Sequence, residues 1–300
     1  VRCEWRQVVV LTSTQQAMDL VARLALDPGD AAWIEDPGYL GARAALRAAG
    51  AHAVPVPVDG EGLDVSAGEA LAPRARLAYV TPSHQYPLGA TLSLARRLQL
   101  LNWAGRAGAW ILEDDYDSEF RFAGRPLAAV QGLDTEGRVL YAGTFNKVMF
   151  PSLRLAYLVV PPALVDAFVA ARALSDGCPP ALTQAALADF IEQGHFAAHV
   201  RRMRAIYQER RDALRESAER HLAGRLTVEA TDTGMHAVGW LAPDANDVAV
   251  SNRAATLDLD VPPLSKYYLG PTRRPGLLLS YAVAAPGAIR RGVRRLAEIL

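Results

Sequence analysis

Short apolar runs alternate with amphipathic stretches along the first half of the chain, and that alternation admits one class of fold. The apolar runs are Val8 to Thr12, Ala31 to Glu35, His52 to Val56, Leu77 to Thr81, Ala109 to Glu113, Val139 to Gly143 and Ala156 to Val160. Segments with helical periodicity lie between them, at Gln15 to Leu26, Gly41 to Ala49 and Leu94 to Ala107. Strand, helix, strand at this spacing predicts a mostly parallel α/β sheet of seven strands. Asp27-Pro28-Gly29-Asp30 and Ala48-Ala49-Gly50 read as helix stops.

The second half has a different pattern. Thr183 to His221 reads as almost wholly helical, with Phe196, Val200, Met203, Ile206 and Tyr207 on one apolar stripe. Strand-like segments follow at Thr227 to Glu229, His236 to Leu241 and Leu277 to Ala282, then a helix from Gly287 to Leu300. This predicts a large domain over residues 1–178 and a smaller α+β domain over 179–300, divided near Cys178-Pro179-Pro180. The chain opens VRCEWRQ, with no initiator Met and no apolar signal region, and reads as a piece of a longer chain.

Composition excludes several classes. No run of 18 apolar residues occurs, which argues against a membrane-spanning helix. The formal charge is zero, so a dedicated nucleic-acid surface is not expected. Arg201, Arg202, Arg204, Arg210 and Arg211 are interleaved with Glu209, Asp212, Glu216 and Glu219, the pattern of a solvated helix. Cys3 and Cys178 form no disulfide framework, and the scattered histidines have no zinc spacing, so a reducing cytoplasm is the default. Cys178 reads as buried packing. Only two of the 32 basic residues are lysines, Lys147 and Lys266. A lysine kept against that bias suggests a role arginine cannot fill, such as losing its proton to form a Schiff base. Lys266, in a Pro-rich loop, reads as surface.

Ligands of open parallel sheets bind beyond the carboxyl ends of the strands. After the first strand come Ser13, Thr14, Gln15 and Gln16, suited to a phosphate or simply a helix cap. After the second come Asp36-Pro37-Gly38-Tyr39, and after the fourth Pro82-Ser83-His84-Gln85-Tyr86-Pro87. The fifth ends Glu113-Asp114-Asp115-Tyr116-Asp117, which suits a metal, a cationic ligand or a solvated loop. The sixth leads to Gly143-Thr144-Phe145-Asn146-Lys147, and Pro151-Ser152-Leu153-Arg154 precedes the seventh. A lysine, a carboxylate, a phenol and phosphate-binding groups at one sheet edge are the requirements of pyridoxal 5′-phosphate.

In order and spacing, TPSHQYPLG, RRLQLLNWA, EDDYDSEF and GTFNK with PSLR resemble the MocR-type regulators of the GntR superfamily. These join a winged helix-turn-helix to a domain of the fold-type I aminotransferase kind. The resemblance runs from about Val8 to the C-terminus; nothing in the chain resembles the winged helix, and the family's segment just before Val8 reads as missing. It implies that Lys147 carries the cofactor as a Schiff base, Asp114 pairs with the pyridine nitrogen and Tyr116 hydrogen-bonds the phenolic oxygen. It implies further that Tyr39 lies near the ring, that Ser13, Thr14, Thr144 and Arg154 hold the phosphate, and that His84 and Gln85 line the ring's edge. Tyr86 falls where aminotransferases carry an asparagine, and Tyr267 and Tyr268 are open between cofactor pocket, dimer partner and packing. Ser13 replaces a glycine, which would strain a turn needing positive φ. Val283 falls at the position of the arginine that grips a substrate carboxylate.

Three functions follow. The first is a homodimeric, effector-sensing regulator domain. Its effector is pyridoxal phosphate, an amino acid or an amine, and DNA is reached only through a winged helix outside this chain. The second is a working aminotransferase, with Lys147 as general base. The third is a degenerate fold kept for dimerisation.

Overall fold

The computed structural model describes residues 1–124, 127–229 and 231–300. Its first half contains β1 (Val8–Leu11), α1 (Thr14–Ala25), β2 (Ala31–Asp36), α2 (Leu40–Ala48), β3 (His52–Asp59), β4 (Gly62–Leu63) and α3 (Val65–Leu71). Next come β5 (Leu77–Val80), α4 (Leu94–Ala107), β6 (Trp110–Asp115), the one-turn helix α5 (Val130–Leu133), β7 (Val139–Thr144), the one-turn helix α6 (Phe145–Val148) and β8 (Ala156–Val159). All seven expected strands are present, and the expected count of seven is corrected by one. The sheet has eight strands in the order β1-β8-β7-β6-β5-β2-β3-β4, because Gly62–Leu63 pairs back on β3 as a short hairpin.

Strands β3, β2, β5, β6 and β7 are mutually parallel. Strand β8 runs antiparallel to both β7 and β1. The carboxyl ends of β1, β2, β5, β6 and β7 therefore share one edge with the amino end of β8.

The apolar runs are near-continuous because both faces of the sheet are covered. On one face Ala32, Ile34, Leu77, Tyr79, Leu112, Leu140 and Ala142 pack with Met18 and Val21 of α1. On the other, Trp33, Ala78, Val80, Ile111 and Val139 pack with Leu100 and Trp103 of α4. Trp33 and Trp103 stack with ring centroids 3.6 Å apart. Helix α3 tucks Gly68 under the Trp33 ring, where a Cβ would be only 2.9 Å from the ring carbons. That helix has no long apolar stripe; its local signal is Asp64, whose carboxylate caps Ser66 and Ala67.

The chain continues through α7 (Val165–Asp176), α8 (Ala181–Glu192), α9 (His195–His221), β9 (Thr227–Glu229), β10 (His236–Trp240), α10 (Asp247–Ala255), β11 (Gly276–Ser280) and α11 (Pro286–Ile299). The single helical stretch expected from Thr183 is two helices, parted at Gly194 with φ 78°. Strands β9, β10 and β11 form a second, antiparallel sheet. Leu277, Leu279 and Tyr281 on one side pack with Val200, Tyr207 and Leu214 of α9 and Val293 of α11. Val238 and Leu278 on the other side pack with Tyr86, Leu88, Tyr267 and Tyr268. The second sheet thus covers the loop after β5. Cys178, expected to be buried, is exposed, because the turn between α7 and α8 packs against nothing that would cover it.

One charged side chain holds the far side of that loop. Arg97 of α4 is 1% exposed. Its guanidinium donates to the carbonyls of Leu92 (2.9 Å), Ala128 (3.0 Å) and Pro82 (2.8 Å) and lies 3.9 Å from Glu113. Removing one member of a buried, paired set costs about 3–5 kcal/mol. Arg97→Met keeps the stem and loses these bonds, so a shift of its denaturant midpoint matching that loss is expected. A midpoint equal to the parent's would show that water replaces the guanidinium without cost.

Candidate functional site

The shared sheet edge collects the candidate residues in register. Leu11 of β1 and Thr144 of β7 both pair with Ala156 of β8, so the segments after β1 and β7 and before β8 are neighbours. Asn146 ties the three together. Its Nδ2 donates to the Thr12 carbonyl at 3.0 Å, and its Oδ1 accepts from Leu155 N at 2.9 Å. Lys147, next in α6, is exposed at this junction.

Strand alternation separates the acids of β6. Glu113 and Asp115 point to the α4 side of the sheet. There Glu113 accepts from the backbone N–H of Val130 (3.0 Å) and Gln131 (2.8 Å). Asp115 accepts from Tyr141 Oη at 2.8 Å and Ser118 Oγ at 2.7 Å. Asp114 points the other way. Its Oδ2 accepts from Tyr79 Oη at 2.8 Å, and its Oδ1 is buried with no hydrogen-bond partner. Burial pushes the Asp114 carboxyl up to about 7; the Tyr79 bond and the Lys147 charge act against that rise. The alternative of a metal site in this acidic loop is not supported: each acid has its own partners, and no group of three possible metal ligands exists among the described residues.

The segment after β1 is a helix start. Ser13 caps α1, its Oγ accepting from Gln16 N at 3.2 Å. Its φ is −166°, extended backbone open to any residue, so the strain expected of a serine in place of glycine is absent. Thr14 and Gln15 present first-turn N–H groups that no helix carbonyl can satisfy. Thr144 caps α6 in the same manner, accepting from Asn146 N at 3.1 Å. Both hydroxyls therefore keep a proton to donate. Arg154 is exposed, with φ 52° and ψ 46°. A non-glycine residue held in that left-handed region marks a constraint beyond local preference.

Aromatic rings line the rest. Tyr86 meets Tyr39, Tyr116 and Tyr267 edge-on at 5.9, 6.1 and 5.4 Å between centroids, and its hydroxyl donates to Tyr267 Oη at 3.2 Å. Tyr116 Oη donates to the His84 carbonyl at 2.8 Å and lies 3.0 Å from His84 Nδ1. Gln85, expected at the ring's edge, instead fixes the loop. Its amide nitrogen donates to the carbonyls of Pro37 (2.9 Å) and Tyr86 (2.7 Å), and its oxygen accepts from Leu88 N (2.9 Å).

Sequence reasoning missed Tyr79 and His236, gave Asp117 no role of its own beyond the acidic run, and left Tyr267 open. Tyr79 was legible in principle, one residue from the end of β5 on the Asp114 face. His236 and Tyr267 arrive from segments far along the chain, and only tertiary packing brings them in. Val283 is 88% exposed in the turn after β11, whereas Leu278 of β11 packs in the cluster with Tyr86 and Tyr267.

The arrangement offers a free buried carboxylate oxygen, an amine, an anion-binding helix start and a phenol, with no metal ligand set among the described residues. The described helices include none long and apolar enough to cross a membrane.

Comparisons with known proteins agree with this reading of the fold. The probable rhizopine catabolism regulatory protein MocR of Rhizobium meliloti is 44% identical over 99% of this chain and 60% of its own length. The HTH-type transcriptional regulator TauR of Rhodobacter capsulatus is 36% identical over 98% of the chain and 60% of its length. The chain thus spans about 60% of these curated relatives. Among solved structures, the α-aminoadipate aminotransferase LysN of Thermus thermophilus, complexed with N-(5′-phosphopyridoxyl)-L-leucine, superposes with a TM-score of 0.91 at 30% identity, covering 98% of this chain and 77% of that one. Residues 4–257 match the description "Aminotransferase class I and II". The chain belongs to the class I and II aminotransferase family, in the fold-type I architecture and in a form shared with MocR-type regulators.

Proposed function

We propose that this chain is the pyridoxal phosphate-binding, effector-sensing domain of a MocR-type transcription regulator. The observation that carries the cofactor is Asp114 Oδ1, a buried acceptor with no partner. A protonated pyridine nitrogen satisfies that oxygen and removes the cost of the buried carboxylate. Lys147, whose charge acts on Asp114, is the amine suited to hold the cofactor covalently. Ser13, Thr14, Thr144 and Arg154 suit the phosphate, by free N–H groups, hydroxyl donors and a guanidinium. Tyr116 suits the phenolic oxygen, Tyr39 the ring, and His84 stands behind Tyr116. Bound there, pyridoxal phosphate supplies an aldehyde that condenses with amines and a ring that draws electrons.

The likeness to MocR and TauR favours a sensor. The wall beside Tyr86 includes the apolar side chains of Leu278 and Val238. The effector in this reading is pyridoxal phosphate itself or an amino compound, and amines lacking a carboxylate suit the wall best. DNA contact belongs to a winged helix outside these 300 residues, the assembly is a homodimer, and the setting is the cytoplasm. Residues 1–178 form the cofactor-binding domain and 179–300 the smaller one that responds to the effector. The second reading, a working aminotransferase, is favoured by the likeness to LysN. Lys147 then moves the proton.

Titration with pyridoxal phosphate and then with amino acids and amines decides between them. A visible band of lysine-bound cofactor that does not go on to the pyridoxamine form supports the sensor; conversion to that form supports the enzyme. Lys147→Ala is expected to abolish the band, and an unchanged band would remove Lys147 from its role.

A pH dependence tests Asp114. The folded carboxyl keeps its proton up to about 7, while the unfolded one releases it near 3.8. Between those values the folded state binds more protons, so stability of the cofactor-free protein falls as pH rises. Asp114→Asn should make that fall shallower in denaturant midpoints taken from pH 4 to 7, and so should loading with pyridoxal phosphate. Identical slopes in all three would show that Asp114 does not meet the cofactor.

A further inference from the structure

His84 is buried beside the site, 1% exposed. Its Nδ1 is 2.9 Å from Asp117 Oδ2 and 3.0 Å from Tyr116 Oη. The Tyr116 hydroxyl donates to the His84 carbonyl at 2.8 Å. The His236 ring lies 4.6 Å away, with its Nε2 donating to the Pro87 carbonyl at 3.0 Å. Gly234 closes the cage: it holds φ 92°, and a Cβ there would overlap the imidazole. Its backbone is fixed in turn, with N–H donating to the Phe120 carbonyl at 2.9 Å and carbonyl accepting from Tyr281 Oη at 2.8 Å. Two buried atoms are left without partners, His84 Nε2 and Asp117 Oδ1.

The cage restricts where one proton can sit. Burial lowers both His84 and His236 to about 3, so both rings are neutral. A neutral His84 carries one N–H. On Nε2 that N–H has no acceptor, and an unsatisfied buried donor costs about 1–3 kcal/mol. On Nδ1 it is donated to the Asp117 carboxylate. Burial pushes Asp117 upward, while His236 and the Lys147 charge act against that rise. Asp114 and Asp115 on β6, Glu35 on β2, Arg121, Tyr86, His236 on β10, Tyr281 and Lys147 on α6 are the other titratable or charged groups facing this cluster. Where Asp117 is ionised, its carboxylate holds the histidine proton on Nδ1. With the proton on Nδ1, the phenol oxygen of Tyr116 faces a donor, and its own proton must point to the His84 carbonyl or out into the site.

We infer that Asp117, acting through His84, leaves the Tyr116 proton free to turn from the His84 carbonyl, its partner in this structure, to the oxygen of a bound ligand, which makes Asp117 and His84 positioning residues. The inference rests on the cofactor reading above, in which that oxygen is the phenolic oxygen of pyridoxal phosphate. A hydroxyl donated there stabilises negative charge on the ring oxygen and so favours the deprotonated form of the lysine-bound cofactor. Its loss raises the pH midpoint of the visible band.

The test uses the protein loaded with pyridoxal phosphate and reads the pH midpoint of that band. Tyr116→Phe and Asp117→Asn are each expected to raise it, by about one pH unit, a tenfold change in proton affinity. The double variant should rise no further than Tyr116→Phe alone, because the two act in series. A second pair keeps the test independent of how Asp117→Asn folds. His84→Asn retains a donor near the Nδ1 position and should stay close to the parent midpoint, whereas His84→Leu should match Tyr116→Phe. Full additivity, a parent midpoint in Asp117→Asn, or equal midpoints in the two His84 variants would each overturn the inference. A parent protein that forms no band would overturn the cofactor reading itself.

Discussion

A carboxylate on a strand faces one side of the sheet only, and in this protein that fact selects the chemistry. Strand β6 ends with three consecutive acids, and alternation sends Glu113 and Asp115 to the α4 side and Asp114 to the α1 side. The two acids on the α4 side are satisfied by backbone and hydroxyl donors. Asp114 is half satisfied, by Tyr79 alone. An unpaired buried carboxylate oxygen is costly, and a fold keeps one only where something else completes it. A cationic ligand group at that place turns a destabilising feature into binding energy.

The same edge is built from helix starts. Ser13 and Thr144 each satisfy one orphan N–H of the helix they cap. The remaining first-turn N–H groups of α1 stay available to an anion. Asn146 fixes the spacing between these two starts through Thr12 and Leu155. The helix starts proposed for the anion and the lysine proposed for the cofactor are therefore tied together by one short network through Asn146.

Most of the fold was legible because its signals are local. Buried strands read as apolar runs, and Leu94–Ala107 is bounded by a serine cap and a glycine stop, Gly108 at φ 64°. The short strand Gly62–Leu63 and helix Val65–Leu71 were not legible. Their stability comes from packing on β3 and under Trp33 rather than from periodicity. At the site, residues within a few positions of a strand end could be read from the chain. Tyr267 and His236 lie 181 and 149 residues from the partners they meet, Tyr86 and Pro87, and no spacing rule spans such a gap.

Those long-range contacts also locate where a ligand can act on the fold. The loop after β5 touches the second sheet through Tyr86, Leu88 and His236. The end of β2 and the turn after it are clamped to the segment preceding β11, Asp36 accepting from Leu269 N at 2.6 Å and Gly38 N donating to the Tyr267 carbonyl at 3.1 Å. A ligand shifts a conformational equilibrium only by the difference in its contacts between the two states. Tyr39 and Tyr86 belong to the candidate site and to this junction at once, so a molecule touching both rings contacts the joint directly. Such a ligand needs no long relay to bias the placement of the second sheet, and in the proposed reading a cofactor on Lys147 and Asp114 would give it a fixed point on the first sheet.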